Sequence, residues 1–475
     1  MMMDRMRAAQ RTIFCNRTLN LRPIRAIGYD MDYTLIHYHV EEWERRAFQR
    51  ARDKLVSDGW PLEEATFDPT QVIRGLVIDR ELGNLVKSNR FGYVKAASHG
   101  SSMLSFDEVR RTYAREVVDL SEPRYVFLNT LFGLSEASLY MQLVDALDSG
   151  RLAQKALNYG DLYEAVRKRI DQTHIEGALK AEIVADPDRF VVMDPEVPLT
   201  LLDQKESGKK ILLITNSGWP YTRSIMEYAF DRHLPKGMGW RDLFELVIVS
   251  ARKPNFFAGR CPVLEVKTEE GLLQPWMGPL QPGGAYVGGD AGLVEESLGL
   301  SGEQILYVGD HVYGDVQVSK SIRRWRTALV VRELEDELEA LYGFADSQAE
   351  LSRLMREKAT LESELSQVRL ELMRVKAGYG GQGKKTIAGK ESRLAQGRAQ
   401  VQALDETIGP LAKSSSEMAN PSWGLLMRAG NDKSYMARQV ERHADVYTSR
   451  VSNFLYATPF AYLRSSRGTL PHDPV

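Results

Sequence analysis

The sequence predicts an α/β fold: a Rossmann-like parallel sheet that carries an inserted helical cap and a long helical hairpin. Three observations predict it. Four short, mainly apolar runs, Ile24 to Tyr29, Ile211 to Ile214, Leu246 to Val249 and Ile305 to Val308, end at once in polar residues, the pattern of strands buried on both faces. About 180 residues separate the first run from the second, far more than a crossover needs, so a subdomain is inserted there. From Leu351 onward apolar residues recur at steps of three and four, as on a long packed helix.

The first run leads into Asp30-Met31-Asp32-Tyr33-Thr34-Leu35. In an extended chain residues i and i+2 point to the same side, so both carboxylates would face one small site. Two such charges repel, and a cation between them relieves the repulsion. A hard ion such as Mg2+ suits carboxylate, water and phosphate oxygens. Asp, Tyr and Thr are equally ordinary turn residues, and taken alone the motif reads at least as well as a capped turn. The other runs end in Thr215-Asn216-Ser217, in Ala251-Arg252-Lys253-Pro254 and in Gly309-Asp310-His311-Val312-Tyr313-Gly314-Asp315. All these groups lie beyond the carboxyl ends of predicted strands, where open α/β sheets bind their ligands.

The insertion is helical by pattern from about Leu134 to Ala185, and Ala328 to Val331 closes the sheet. Leu351, Leu354, Leu361, Leu365, Val368, Leu372 and Val375 then form a heptad seam that Lys358 interrupts. Gly378 to Gly383 breaks the pattern, and Leu394, Val401, Leu404, Ile408 and Leu411 resume it, which predicts an antiparallel hairpin acting as a packing arm or subunit contact. From Asn420 the chain regains aromatic residues and is expected to pack on the core or on a neighbour, with Pro471 to Val475 loose. The expected divisions are 16–37 with 190–335 for the core, 38–189 for the insertion, 336–412 for the hairpin and 413–475 for the C-terminal segment.

A chain of 475 residues has room for two or three domains. Its 62 basic and 64 acidic residues leave a formal charge of −2, so no global field favours nucleic acid or an anionic membrane. Cys15 and Cys261 stand far apart without metal-ligand spacing, so neither a disulfide framework nor a zinc site is indicated. No signal-peptide core follows Met1 to Arg11 and no apolar run is long enough for a bilayer, so a cytoplasmic protein is expected.

Three other motifs carry less. Gly378-Tyr379-Gly380-Gly381-Gln382-Gly383 has dinucleotide-loop spacing, but it follows a charged heptad helix instead of a strand, and Lys384 lacks a following Ser or Thr. His37 and His39 alternate without a third ligand in reach and read as strand or rim residues. Gly288-Gly289-Asp290 reads as a sharp turn into a helix over Leu293 to Leu298.

Together the four strand ends supply the parts of a phosphoryl transfer: a nucleophile, an acid/base, phosphate donors, a fixed cation and metal-holding carboxylates. Asp30-Met31-Asp32-Tyr33-Thr34 resembles the first motif of the haloacid dehalogenase superfamily in its phosphatase form. With Thr215-Asn216-Ser217, Ala251-Arg252-Lys253-Pro254 and Gly309 to Asp315, it is similar more closely to the cytosolic purine 5′-nucleotidases specific for IMP and GMP. The resemblance runs from about Asn16 to Val331 and resumes near Leu425 to Leu463. Arg74-Gly75-Leu76-Val77, Gly83-Asn84-Leu85 and Leu128-Asn129-Thr130-Leu131-Phe132 share it, whereas the stretch from Glu333 to Leu411 does not.

The resemblance implies a role for each residue. Asp30 would attack phosphorus and form an aspartyl-phosphate, and Asp32 would protonate the leaving ribose oxygen and later take a proton from water. Thr215, Asn216 and Ser217 would bind the phosphate, with Thr-Asn-Ser equally able to cap a helix. Lys253 would neutralise the transferring group and steady Asp30. Mg2+ would sit on Asp30, the backbone carbonyl of Asp32 and Asp310, with Asp315 orienting Lys253 or a metal-bound water. The base would be gripped by Asn129, Phe132, Arg167, Asp171, His174 and Lys180. Spacing alone makes Arg167, Asp171 and His174 one face of an ion-paired helix.

The implied substrates are purine nucleoside 5′-monophosphates, IMP and GMP, with phosphotransfer to a nucleoside as a second outcome. One departure is Gly133, where relatives often carry asparagine. The resemblance also implies a homo-oligomer, dimer or tetramer, and activation by a nucleoside triphosphate at a second site. Gln439 and Arg442 resemble part of that stretch, but His443 replaces an aromatic and Asp119 stands where an arginine is expected. The competing readings are a phosphatase for another phosphomonoester and an interaction scaffold with an inactive core.

Overall fold

Burial on both faces is what turns the short apolar runs into strands. The computed structural model describes residue 6 and residues 8–152, 158–175, 177–379 and 386–468, without the side chains of 174 and 175. Six central strands are β1 Ala26–Tyr29, β2 Lys210–Ile214, β3 Leu246–Val249, β4 Gly284–Gly288, β5 Ile305–Gly309 and β6 Arg326–Val330. They are all parallel, in the spatial order β6-β5-β1-β2-β3-β4. Val446–Thr448 adds parallel to β6 and Phe14–Cys15 antiparallel beyond it, while Val263–Val266 and Leu273–Pro275 extend the β4 edge antiparallel. Among the described residues this sheet has ten strands.

The register positions the site. Tyr29 of β1 lies beside Leu213 of β2 and Val308 of β5, so these three strands end at one level. The chain leaves β1 between neighbours reached by opposite crossovers, the switch point where such sheets open a crevice. On one face Leu212, Ile214, Ile248, Phe256, Phe257, Tyr307 and Trp325 form a closed apolar cluster. Each fully buried side chain of this kind contributes roughly 1.5–3 kcal/mol, so the strand ends sit on a rigid base.

The strand expected from Ile24 begins at Ala26, and β4 was not expected at all. Only Ala285, Tyr286 and Val287 stand between its glycines, too short an apolar run to register. The turn after it is as expected: Gly288 and Gly289 both have φ +78°, and the Asp290 side chain accepts from Leu293 N to cap the helix Ala291–Leu298.

The helices expected in the insertion from Leu134 to Ala185 are present, and a sheet that was not expected joins them. The insertion holds the helices α1 Val40–Ser57, α2 Leu134–Asp148, α3 Tyr159–Ile175 and α4 Ala178–Ala185. It also holds an antiparallel sheet of Ser102–Met103, Val94–His99, Asn84–Ser88, Val77–Asp79 and Tyr125–Phe127. Its strands bury Asp79, Asn84, Lys87 and Ser88, and polar residues inside a strand hide the apolar run that would announce it.

The chain divides into two compact units, one of residues up to Glu335 with Leu426 onward, the other Asp336–Leu425. The second unit contains the long helices Ala345–Lys376 and Ile387–Ser416, whose ion pairs Lys358–Asp405 and Lys376–Glu391 show them antiparallel. Leu351, Leu354, Leu365, Leu372 and Ile408 are buried along the seam. The unit therefore carries 413–425 with the hairpin and not with the C-terminal segment. Gly378, at φ +73°, follows the first helix, and the rest of the glycine motif, 380–383, lies outside the described residues. Among the described residues no helix is long and apolar enough to cross a membrane.

Candidate active site

β1 stops at Tyr29, so the extended-chain alternation expected for Asp30 and Asp32 does not operate. A tight turn takes its place: Thr34 N and Ile36 N both donate to the Met31 carbonyl, at 3.2 and 2.9 Å, and Tyr33 sits at φ +56°. A left-handed residue without glycine's freedom costs about 1 kcal/mol or more, and the Tyr33 ring offsets it by packing on Phe132, Tyr38 and Trp43. The turn reverses the chain into His37–Tyr38, which pairs with Val191–Val192 and brings the Tyr38 hydroxyl back to Asp32 Oδ1 at 2.5 Å.

Lys253 is the centre of the site. Its side chain is 4% exposed, and its Nζ lies 2.7 Å from Asp30 Oδ1 and 2.7 Å from Asp315 Oδ1. It also donates to Tyr307 Oη at 3.1 Å, and that hydroxyl donates on to the Ile214 carbonyl at 3.0 Å. Burial alone would depress the ammonium, but Asp30 and Asp315 outweigh it and hold the pKa well above the ordinary lysine value. Asp315 is fixed in turn by His311 N, which donates to its second oxygen at 3.1 Å. Gly309 makes room for this, because a Cβ there would overlap the Asp315 carboxylate.

The acid excess is large. Asp30, Asp310 and Asp315 are all buried, with a carboxylate oxygen of each within 4.8 Å of the others, the group among the described residues able to hold a metal. Burial, with Asp315 and Asp32 adding, pushes Asp30 up to about 7 against the pull of Lys253. Burial, with Asp315 and Asp30 adding, raises Asp310 well above the carboxylate range. Three buried carboxylates thus face one lysine, and an all-oxygen set short of positive charge fits a hard divalent cation. Both Asp315 oxygens have partners, and Asp30 Oδ1 receives Lys253 and Met31 N, so Asp310 and Asp30 Oδ2 are the carboxylate oxygens best placed to hold it.

The other expected residues divide into two groups. The Thr215 hydroxyl oxygen accepts from Ser217 N at 3.0 Å and keeps its own proton to donate. Asn216 is different: its amide brackets the Lys253 main chain, accepting from Lys253 N at 2.6 Å and donating to Lys253 O at 3.2 Å. It holds the lysine loop. Lys180, expected at the base, instead reaches Ser217 Oγ at 2.6 Å, on the catalytic side.

Around the cap, half-buried Phe132 packs on Tyr33 at 4.7 Å, one residue from Asp32. Asn129 lies near the start of the same turn and donates weakly to the Phe127 carbonyl at 3.4 Å. Arg167 and Asp171 pair at 3.3 Å on α3, and Arg167 also meets Tyr163 Oη at 3.1 Å, so the ion-paired face that spacing predicted is present. The side chain of His174 lies outside the described residues. Gln439, Arg442 and His443 share the helix Tyr435–His443, and the His443 ring stands 6.1 Å from Tyr313.

Sequence reasoning missed Tyr38, Tyr221, Tyr307 and Arg74 as parts of the site. Arg74, almost fully buried, pairs with Glu333 at 2.8 Å and donates to the Asp310 carbonyl. The only signal for these was polar tips within apolar or distant segments, which becomes legible once the fold brings them together.

The profile of the 5′ nucleotidase family matches residues 13–475. The chain belongs to the 5′ nucleotidase family. It is 27% identical over 471 residues, 97% of this chain and 74% of the other, to a 5′-nucleotidase domain-containing protein of Dictyostelium discoideum. Among solved structures it is similar to an archaeal beta-phosphoglucomutase of a Pyrococcus species, with TM-score 0.30, 12% identity and coverage of 65% of this chain and 87% of that one. A haloacid dehalogenase-like family hydrolase of Xanthomonas campestris matches with TM-score 0.25, 13% identity and coverage of 65% and 82%. The enzyme is a phosphoric monoester hydrolase, a 5′-nucleotidase. Its parallel core has the acidic motif after the central strand and a cap inserted behind it, the arrangement that the resemblance to the haloacid dehalogenase superfamily implies.

Proposed function

We propose that this enzyme hydrolyses purine nucleoside 5′-monophosphates, IMP and GMP, with Mg2+ and through an aspartyl-phosphate on Asp30. The observation that carries the reading is Lys253 Nζ at 2.7 Å from both Asp30 and Asp315, three residues brought together beyond the carboxyl ends of parallel strands of one sheet. Asp30, its carboxylate held in place by Lys253, attacks phosphorus as the bond to the ribose oxygen breaks. Asp32 gives its proton to that oxygen, then takes one from the water that opens the acyl phosphate. Lys253, Thr215 and Lys180 meet the charge on the phosphoryl oxygens. Bound at Asp30 and Asp310, Mg2+ would supply the positive charge that this acid-rich pocket lacks. The purine preference is supported by Phe132, an aromatic face placed beside the catalytic turn, and by the polar face of α3.

The test is phosphate release from IMP, GMP, AMP, CMP and UMP, with and without Mg2+, alongside Asp30→Asn. Hydrolysis of IMP and GMP ahead of the others, dependent on Mg2+, and a loss of at least about 1000-fold in the variant are expected. Equal rates on IMP and on sugar phosphates would overturn the substrate reading, and an active Asp30→Asn would overturn the nucleophile.

A further inference from the structure

Two hydrogen-bond chains end on the Asp32 carboxylate, and counting protons sets the direction of each. On one edge the Lys180 ammonium lies 2.6 Å from Ser217 Oγ. An ammonium only donates, so Ser217 accepts from it and passes its own proton to Asp32 Oδ2. On the other edge Tyr38 donates to Asp32 Oδ1 at 2.5 Å. That uses its one proton, so the 2.9 Å contact between Tyr38 and Tyr221 hydroxyls must run from Tyr221 to Tyr38. Lys180 Nζ also stands 4.7 Å over the Tyr221 ring, which ties the two chains together behind Asp32.

Three separate elements build this arrangement: the strand His37–Tyr38, the helix Trp219–Phe230 that follows β2, and α4 of the insertion. Ser217, Tyr38 and Tyr221 are all buried, so the hydroxyls meet one another and not bulk water. We propose that Tyr38, backed by Tyr221, is the positioning residue that aims Asp32 at the leaving oxygen, with Lys180 and Ser217 clamping the opposite edge. The proposal rests on Asp32 acting as the acid in the reaction above.

Both chains are held in one sense: a Ser217 hydroxyl turned toward Lys180 would find no acceptor, and the Tyr38 hydroxyl, whose oxygen takes the Tyr221 proton, keeps its own proton for Asp32 Oδ1. As Asp32 gives its proton to the ribose oxygen and the P–O bond breaks, the carboxylate left behind is met by the Tyr38 hydroxyl. No heavy atom has to move for this, the condition under which a placed hydrogen bond helps most.

A merely structural hydroxyl pair would affect all substrates alike, whereas an aimed acid matters only where the leaving group needs a proton. Ribose alkoxide needs one; nitrophenolate leaves as a stable anion. The experiment compares kcat/KM for IMP and for p-nitrophenyl phosphate, with Mg2+, in the wild type, Tyr38→Phe, Tyr221→Phe and Asp32→Asn. Tyr38→Phe is expected to lose roughly 10- to 100-fold on IMP and several-fold less on the aryl ester, a fraction of what a general acid supplies. Tyr221→Phe, which removes only the outer hydroxyl, is expected to show the same selectivity at smaller size, and it carries the comparison if Tyr38→Phe does not fold. Equal losses on both substrates, or no loss on either, would overturn the proposal. Asp32→Asn separates the two claims. If it fails to discriminate between the substrates, the reading of Asp32 falls; if it discriminates and the tyrosine variants do not, only the role of Tyr38 falls.

Discussion

Glu44 is a buried carboxyl with no cation paired to it among the described residues, and its chemistry sets a pH limit on the fold. Its Oε2 accepts from Ser135 N at 2.8 Å, near the start of α2 and beside the turn that carries Phe132. Burial pushes its pKa up to about 8, with Glu136 adding, against the lowering effect of the Ser135 hydrogen bonds. The folded state thus favours the neutral form. Stability from this group is complete below the ordinary glutamate range and is lost as pH rises through about 8. Melting temperature measured across that range should fall for the wild type, and Glu44→Gln should flatten the fall by a few degrees. No feature of the sequence around Glu44 marks it, since a glutamate near the start of a helix reads as a surface charge. Asp30, Asp310 and Lys253 were legible because each follows directly on a buried strand. The orientation of Asp32 was not, because its partners Tyr38 and Tyr221 come from other segments.

At the scale of elements, helix packing turns on single small residues. Gly397 lies on the inner face of Ile387–Ser416, where a methyl would overlap Leu365 of the facing helix. Gly→Ala in a helix gains about 1 kcal/mol of propensity, whereas overpacking a closed seam costs about 1–3 kcal/mol. The overlap reaches the Leu365 Cγ as well as its methyls, so the second effect should win. Gly397→Ala should lower the melting temperature of the hairpin followed by far-UV circular dichroism, and a rise would show that the helices shift apart freely. The heptad spacing made both helices legible, whereas the five-stranded sheet of the insertion was not. Its strands hold Asp79, Asn84 and Lys87 inside, where Asp79 pairs with Arg124 at 2.8 Å and Asn84 donates to Tyr113 at 2.8 Å. Those partners lie distant in sequence, and without them each polar residue reads as exposed.

At the scale of the molecule, every residue of the proposed site precedes Glu335 and lies in one compact unit, while Asp336–Leu425 forms the other. Excising 336–425 and closing the chain with a flexible linker should leave kcat/KM for the best nucleotide within about threefold, as expected of units with separate cores. A collapse of activity in a soluble, folded product would make the hairpin part of the catalytic unit. The sequence by itself determined the reaction class, because a carboxylate pair, a Thr, a Lys and two more aspartates each follow a buried strand, and parallel strands align their ends. Only the tertiary structure decided which acids lack a counter-charge, that Asn216 serves the lysine loop, that Lys180 faces Ser217, and which hydroxyls aim Asp32. Those are matters of distance between remote segments and of water excluded by packing, and neither is written in local order along the chain.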